Sequence, residues 1–276
     1  MKILDEIITS RNNPRVKWAA SLSSKKGRDA EKAFLAEGEK LTLEALASGL
    51  PVVNIFITES KKRNLLSKLK EYIDSELYRN TEIITLSDSA FEKISTEKAP
   101  QGIISVIKYL DFFRDIGIIY KEEFFLPTDE RIIILSSVRD PGNIGSVIRS
   151  AVAFGVDHIF ITSDSADIYN PKTVRSAMGS LFRVKITVVG DVISLIDALK
   201  NAGRRVFAAE LKDNSASLSE IGLLKTDAVI IGNEGHGIHP DVSSACCGSV
   251  YIPISKKTES LNASVAAAVF MWEQSK

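Results

Sequence analysis

The second half of the chain most constrains what it can fold into. Six short runs rich in β-branched and aliphatic residues recur there, at 132–135, 158–161, 184–189, 205–209, 228–231 and 250–254. Runs this compact and continuously apolar belong to strands buried on both faces, as in a parallel sheet. Amphipathic stretches at 143–154, 171–182 and 192–202 fall between them, and another at 261–273 follows the sixth run. That alternation predicts a three-layer α/β fold built on a parallel sheet. Ligands on such sheets bind in the loops that leave the carboxyl ends of the strands.

Upstream, strand-like runs at 33–36, 52–57, 82–86 and 102–107 alternate with helical stretches at 41–47, 61–77 and 88–94, which predicts a smaller α/β domain. Between the halves the pattern lapses. Residues 109–130 hold 6 acidic against 2 basic side chains, whereas 1–108 hold 15 against 18 and 131–276 hold 14 against 15. The expected layout is therefore a domain at 1–108, a linker at 109–130 and a second domain at 131–276.

Basic and acidic residues balance at 35 each, which argues against a protein that coats nucleic acid through bulk charge and leaves only local patches for that work. No apolar run approaches the ~20 residues of a membrane helix. Asp5 and Glu6 sit where a secretory leader would be apolar. The two cysteines, Cys246 and Cys247, are adjacent and build no disulfide framework. A cytoplasmic protein without a membrane partner is expected.

Three loops carry the unusual residues. Asp140-Pro141-Gly142-Asn143-Ile144-Gly145 follows the run at 132–135. Here Pro and Gly stop the strand, and Asn143 is expected to cap a helix that buries Ile144, Val147, Ile148, Ala151 and Val152. Arg149 then lies on the open face, placed to reach a phosphate or an anionic intermediate. Ile231-Gly232-Asn233-Glu234-Gly235-His236-Gly237 follows another strand, and its three glycines let backbone approach a ligand closely. His236 and His239 have no third ligand nearby, so no metal is assigned. The third loop runs from Ile252-Pro253-Ile254 to Ser260-Leu261-Asn262, where Ser260 or Asn262 is a good helix cap. Three such loops on strand ends of one domain point to a shared site.

These loops, in this order, together with Asn170-Pro171-Lys172-Thr173-Val174-Arg175-Ser176-Ala177-Met178-Gly179-Ser180-Leu181-Phe182, resemble the motifs of the SpoU (TrmH-type) RNA methyltransferases of the SPOUT superfamily. The resemblance covers about the last 145 residues closely. More loosely, Lys26-Gly27-Arg28 and Phe34-Leu35-Ala36-Glu37-Gly38-Glu39 resemble the ribosomal-protein-like substrate-binding domain of several members.

The resemblance implies S-adenosylmethionine as methyl donor, a ribose 2′-oxygen of RNA as acceptor, a C-terminal deep trefoil knot and a homodimer. It implies donor binding at Gly232, Gly235, Ile252, Ile254 and Leu261, with Ile254 standing where many relatives carry methionine. It implies catalytic and substrate-side positions at Asn143, Arg149, Glu234, Ser260 and Asn262. It also casts Arg149 as a base, yet a guanidinium keeps its proton in proteins. The reading adopted is that Arg149 fixes an RNA phosphate and stabilises alkoxide charge, while Ser260 and Asn262 orient the hydroxyl and the loop.

RNA contacts are expected from Lys25, Lys26 and Arg28 in the first domain and from Lys172 and Arg175 in the second. The two-domain layout favours large-subunit ribosomal RNA; transfer RNA and antibiotic-resistance methylation are the alternatives. A non-catalytic RNA binder would lack Arg149 or the Ser260/Asn262 pair. A dinucleotide oxidoreductase would carry GxGxxG after its first strand, which this chain does not.

Overall fold

The computed structural model describes residues 1–110, 115–116 and 129–276. Along the chain run β1 (Lys2–Ile8), α1 (Pro14–Ser21), α2 (Lys25–Glu31), β2 (Ala33–Glu37), α3 (Glu39–Ala47), β3 (Val52–Thr58), α4 (Lys62–Ile73), β4 (Glu82–Leu86), α5 (Asp88–Glu92) and β5 (Ile103–Lys108). Then come β6 (Asp115–Ile116), β7 (Ile132–Leu135), α6 (Pro141–Ala153), β8 (His158–Thr162), α7 (Pro171–Ala177), β9 (Lys185–Val189) and α8 (Val192–Asn201). The rest is β10 (Val206–Ala209), β11 (Ala216–Ser217), α9 (Leu218–Ile221), β12 (Ala228–Ile231), α10 (Pro240–Ala245), β13 (Gly248–Tyr251) and α11 (Ala263–Gln274). Two compact units result, one of Met1–Leu110 with Asp167–Phe182, the other of Asp111–Ala166 with Arg183–Lys276.

The first unit is a five-stranded sheet in the order β1-β4-β3-β5-β2, with β5 antiparallel to both its neighbours and β1, β4 and β3 parallel. Val16, Leu22, Phe56, Ile84, Phe91 and Ile104 form its core. β1 has no counterpart in the sequence reading. Its side chains are nearly all exposed, so no period marks it, and pairing with β4 is what makes it a strand.

The same unit holds 167–182, the stretch read with the second domain. The ring of Tyr169 stacks on Tyr109 at 4.1 Å between centroids and packs against Phe34 at 4.6 Å. α7 stops at Ala177, short of the expected 182, because Met178 adopts a left-handed φ of 49°.

Arg28 corrects an expectation. It is 1% exposed, donates to the carbonyls of Leu22 and Ser23 at 3.0 and 2.8 Å, and pairs with Asp167 at 2.5 Å. Its guanidinium is buried and engaged inside the first unit, whereas the expected RNA contact calls for an exposed one. Gly27 beside it is a packing glycine too: a Cβ there would lie 2.1 Å from the Ser21 carbonyl oxygen. Lys25 and Lys26, on the first turn of α2, are exposed as expected.

The second unit is an eight-stranded, wholly parallel sheet in the order β11-β13-β10-β12-β7-β8-β9-β6. Ile132, Ile134, Val206, Ala208, Ala228 and Ile230 bury one face against Leu195, Ile196 and Leu199 of α8 and Val242 of α10. Ile133, Ile159 and Val229 alternate to the other face and are equally buried. α11 packs on α6 and on β12. The expected α/β fold with a parallel sheet is present, and β6, paired with β9, falls inside the stretch expected to be linker. Of the rest of that linker, 111–114 and 117–128 lie outside the described residues. No helix among the described residues is long and apolar enough to cross a membrane.

Candidate functional site

β7 and β12 are neighbours, with Leu135 paired to Ile231 and the Ser136 N–H donating to the Ile231 carbonyl at 2.8 Å. Their loops therefore leave the sheet side by side. β13 lies beyond β10, and its chain leaves the sheet at Tyr251 rather than 254, since Pro253 has no N–H to continue a ladder.

Asp140, not Asn143, caps α6: its Oδ1 accepts from the Asn143 N–H at 3.0 Å, and Pro141 takes the first helical position. The residue before a proline is held extended, as a cap must be. Asn143 is thereby freed. Ile144, Val147, Ile148 and Ala151 are buried as expected and Val152 partly so.

Asn262 caps α11, accepting from the Ser264 N–H at 2.9 Å and the Val265 N–H at 3.4 Å. With its oxygen so used, its Nδ2 faces Asn143 and donates to Oδ1 at 3.0 Å. Asn143 in turn donates through Nδ2 to Glu234 Oε1 at 2.8 Å. Each amide has one donor end and one acceptor end, so the polarity runs in one direction, Asn262 to Asn143 to Glu234. Glu234 also accepts from the N–H groups of Arg139 and Asp140, at 3.2 and 3.4 Å. Burial pushes its carboxyl pKa up, but the Asn143 amide and these backbone donors more than reverse that, and the group ends below the usual carboxylate range. One chain of side chains thus ties all three loops.

Gly232 opens the turn at the end of β12. Asn233 and Gly237 exchange backbone hydrogen bonds of 2.9 and 3.0 Å, and Asn233 Oδ1 accepts from the N–H groups of Gly235 and His236. A Cβ on Gly232 would lie 2.6 Å from the Gly237 carbonyl. Gly232→Ala should displace the turn at a cost of about 1–3 kcal/mol. Its affinity for the small-molecule ligand proposed below, read by calorimetry, should fall at least ~10-fold; unchanged binding would show that the turn does not shape that pocket.

Arg149 is exposed on α6, about two turns beyond Asn143, and makes no ion pair among the described residues. Ser260 is exposed, and its side chain makes no hydrogen bond among the described residues. Ile252 and Leu261 are half-buried, Ile254 is 38% exposed, and Gly235 is exposed. Lys172 is exposed on α7, while Arg175 on the same helix is paired with Glu97. His239 has a local task, its Nδ1 accepting from the Asp241 N–H at 3.3 Å to cap α10. Sequence reading passed over Lys256 and Lys257, exposed in the loop that closes at Asn262, and Leu211, 75% exposed after β10. Two consecutive lysines between Ser255 and Thr258 are the sequence signal for them.

The SpoU rRNA methylase family profile matches residues 130–272. The chain belongs to that family. Residues 13–105 of this SpoU methylase match the MRM3-like substrate-binding domain. It is 33% identical to the 23S rRNA (guanosine(2553)-2′-O)-methyltransferase RlmP of Bacillus subtilis, over 96% of this chain and 97% of the relative. The AdoMet-bound rRNA methyltransferase of Sinorhizobium meliloti superposes with a TM-score of 0.79 at 26% identity, covering 99% of this chain and 97% of that one. The SpoU methyltransferase AviRb of Streptomyces viridochromogenes, in complex with AdoMet, gives 0.78 at 25% identity over 96% and 97%.

Proposed function

We propose that this SpoU methylase transfers the methyl group of S-adenosylmethionine to a ribose 2′-oxygen of large-subunit ribosomal RNA. The observation that carries the reading is the Asn262–Asn143–Glu234 chain, which draws the three strand-end loops of the second unit into one site.

The residues present suit the donor. The backbone groups of Ile252, Ile254 and Leu261 make no hydrogen bond among the described residues, while the side chain of Ile254 and that of Leu211 offer apolar surface beside strand ends. Such a mixture of free backbone groups and apolar side chains is what an adenine needs. Gly232, Gly235, Ile252, Ile254 and Leu261 would hold the donor, which supplies an electrophilic methyl on a sulfonium.

The acceptor hydroxyl is a weak nucleophile: as its oxygen bonded the methyl carbon, the donor's S–CH3 bond would break to leave S-adenosylhomocysteine, and the hydroxyl proton would pass to solvent water or to an RNA phosphate oxygen. Arg149, exposed and without an ion-pair partner among the described residues, is the group for an adjacent RNA phosphate and for the charge growing on the 2′-oxygen. Asn262 has both ends of its amide engaged, so it fixes the loop, and Ser260 is left to hydrogen-bond the hydroxyl. Glu234 and Asn143 hold the geometry from below. Lys25, Lys26 and Lys172 are the RNA contacts kept from the sequence reading, with Lys256 and Lys257 added beside the site.

The domain layout of 1–108 and 131–276, a deep trefoil knot and a homodimer belong to the same proposal. In support, β12 enters the sheet between β7 and β10, two strands laid down before it. Val265 and Trp272 on α11 are 47% and 53% exposed, as an apolar face awaiting a second copy would be. Light scattering reads the subunit number directly.

Labelled methyl from S-adenosylmethionine, offered to unmodified ribosomal RNA and separately to transfer RNA, tests the activity. Label in ribosomal RNA at one alkali-resistant position is expected. Label only in transfer RNA overturns the substrate, and failure to bind S-adenosylmethionine overturns the reaction.

A further inference from the structure

The loop between β7 and α6 has an unusual backbone held from outside. Ser137 sits at φ 58°, in the left-handed region that a non-glycine residue occupies only when its surroundings compel it. Its N–H donates to Thr162 Oγ1 at 2.8 Å, and the next N–H, of Val138, to Ser165 Oγ at 3.1 Å. Its carbonyl accepts from Asn233 Nδ2 at 2.8 Å. Side chains hold this backbone: Thr162 at the end of β8, Ser165 just after it, and Asn233 from the loop after β12.

Those side chains converge on one carboxylate. Asp164 accepts from Thr162 Oγ1 at 2.6 Å, from Ser137 Oγ at 2.6 Å and from the Arg139 guanidinium at 3.2 Å. Thr162 has a single hydroxyl proton, given to Asp164, so its oxygen is left to accept from the Ser137 N–H and from Ser165 Oγ at 3.0 Å. Ser165, its own proton spent on Thr162, can accept from Val138. Every donor in the network points toward Asp164, which sets the direction of the whole set.

We infer that Asp164 is a positioning residue for methyl transfer: through Ser137, Thr162 and Arg139 it holds the 136–140 loop in the shape that presents two backbone N–H groups to Glu234 and starts α6 under Asn143 and Arg149. Asp164 touches neither donor nor acceptor. The inference rests on the methyltransferase reading of the site. Burial raises the carboxyl's pKa, but the Ser137 and Thr162 hydroxyls and the Arg139 charge outweigh it, so the group stays ionised and accepting at neutral pH.

Two measurements on the full chain test this. In Asp164→Ala, kcat at saturating RNA and donor should fall roughly 10- to 100-fold, the penalty of a misplaced site, with the KM for RNA changing less. Ser137→Gly/Asp164→Ala should be no worse than Asp164→Ala, since the Ser137–Asp164 bond is already lost in the single variant and glycine takes the left-handed φ freely. Asp164→Asn, with the same shape, should recover part of the rate. Hydrogen exchange read by mass spectrometry supplies the second test: residues 136–140 should exchange at least ~10-fold faster in Asp164→Ala, with β8 unchanged. Unchanged exchange overturns the inference whatever the activity, as does a wild-type kcat in Asp164→Ala. A wild-type enzyme that methylates no RNA would overturn the reaction proposed for the site, while the exchange result still decides whether Asp164 holds the loop.

Discussion

Alanine at Arg149 should lower methyl transfer about 100- to 1000-fold while leaving affinity for S-adenosylmethionine and the thermal midpoint nearly unchanged. The rate loss follows from removing the cation closest in the helix to the Asn143–Glu234 pair, at a point where negative charge grows on the acceptor oxygen. The stability is spared because Arg149 is exposed and pairs with nothing among the described residues, so its loss should shift unfolding by less than ~0.5 kcal/mol. Lysine keeps the charge but loses the planar fork that grips a phosphate with two bonds. Arg149→Lys should therefore fall between wild type and alanine. Single-turnover rates with labelled donor check both variants, and a near-wild-type rate in Arg149→Lys would sink both the phosphate-clamp and the general-base accounts.

Arg28→Ala should be the most destabilising single change considered, by about 3–5 kcal/mol. It strands Asp167, whose side chain is only 16% exposed, and leaves the carbonyls of Leu22 and Ser23 without their donor. The consequence should appear in the first unit, where α2 and the segment Asp167–Phe182 lose their shared anchor. Differential scanning calorimetry should show the unfolding of the first unit moving down by roughly 10 °C. Arg28→Met with Asp167→Leu should regain most of the loss, because an apolar pair removes the stranded charge. If Arg28→Ala left the transition in place but weakened RNA binding, the residue would belong to the RNA surface after all. Alanines at the exposed Lys25 and Lys26 should behave in that second manner, weakening RNA binding and flattening its salt dependence without changing stability.

Arg28 and Asn143 show where a sequence reading stops. Lys-Lys-Gly-Arg reads as a basic turn, and whether an arginine on it faces water or Asp167 depends on a partner 139 residues away. Asn143 reads as a helix cap because its type favours caps; Asp140 takes the position since Pro141 follows it and holds it extended. β1 left no trace in the pattern because it buries almost nothing of its own.

What the sequence by itself determined is what short-range periodicity records. The six strands read in the second unit, the strand-end placement of the three loops and a helix cap at Ser260 or Asn262 all lie within a few residues of their cause. Tertiary structure alone decided which loops meet. Glu234 lies 91 residues from Asn143, and Asn262 lies 119 residues from it. The strand order that sets β12 beside β7 brings these side chains together, and with them the loop that Asp164 holds. A hydrogen bond between distant residues leaves no period in the chain, because its partners share a location and not a sequence interval.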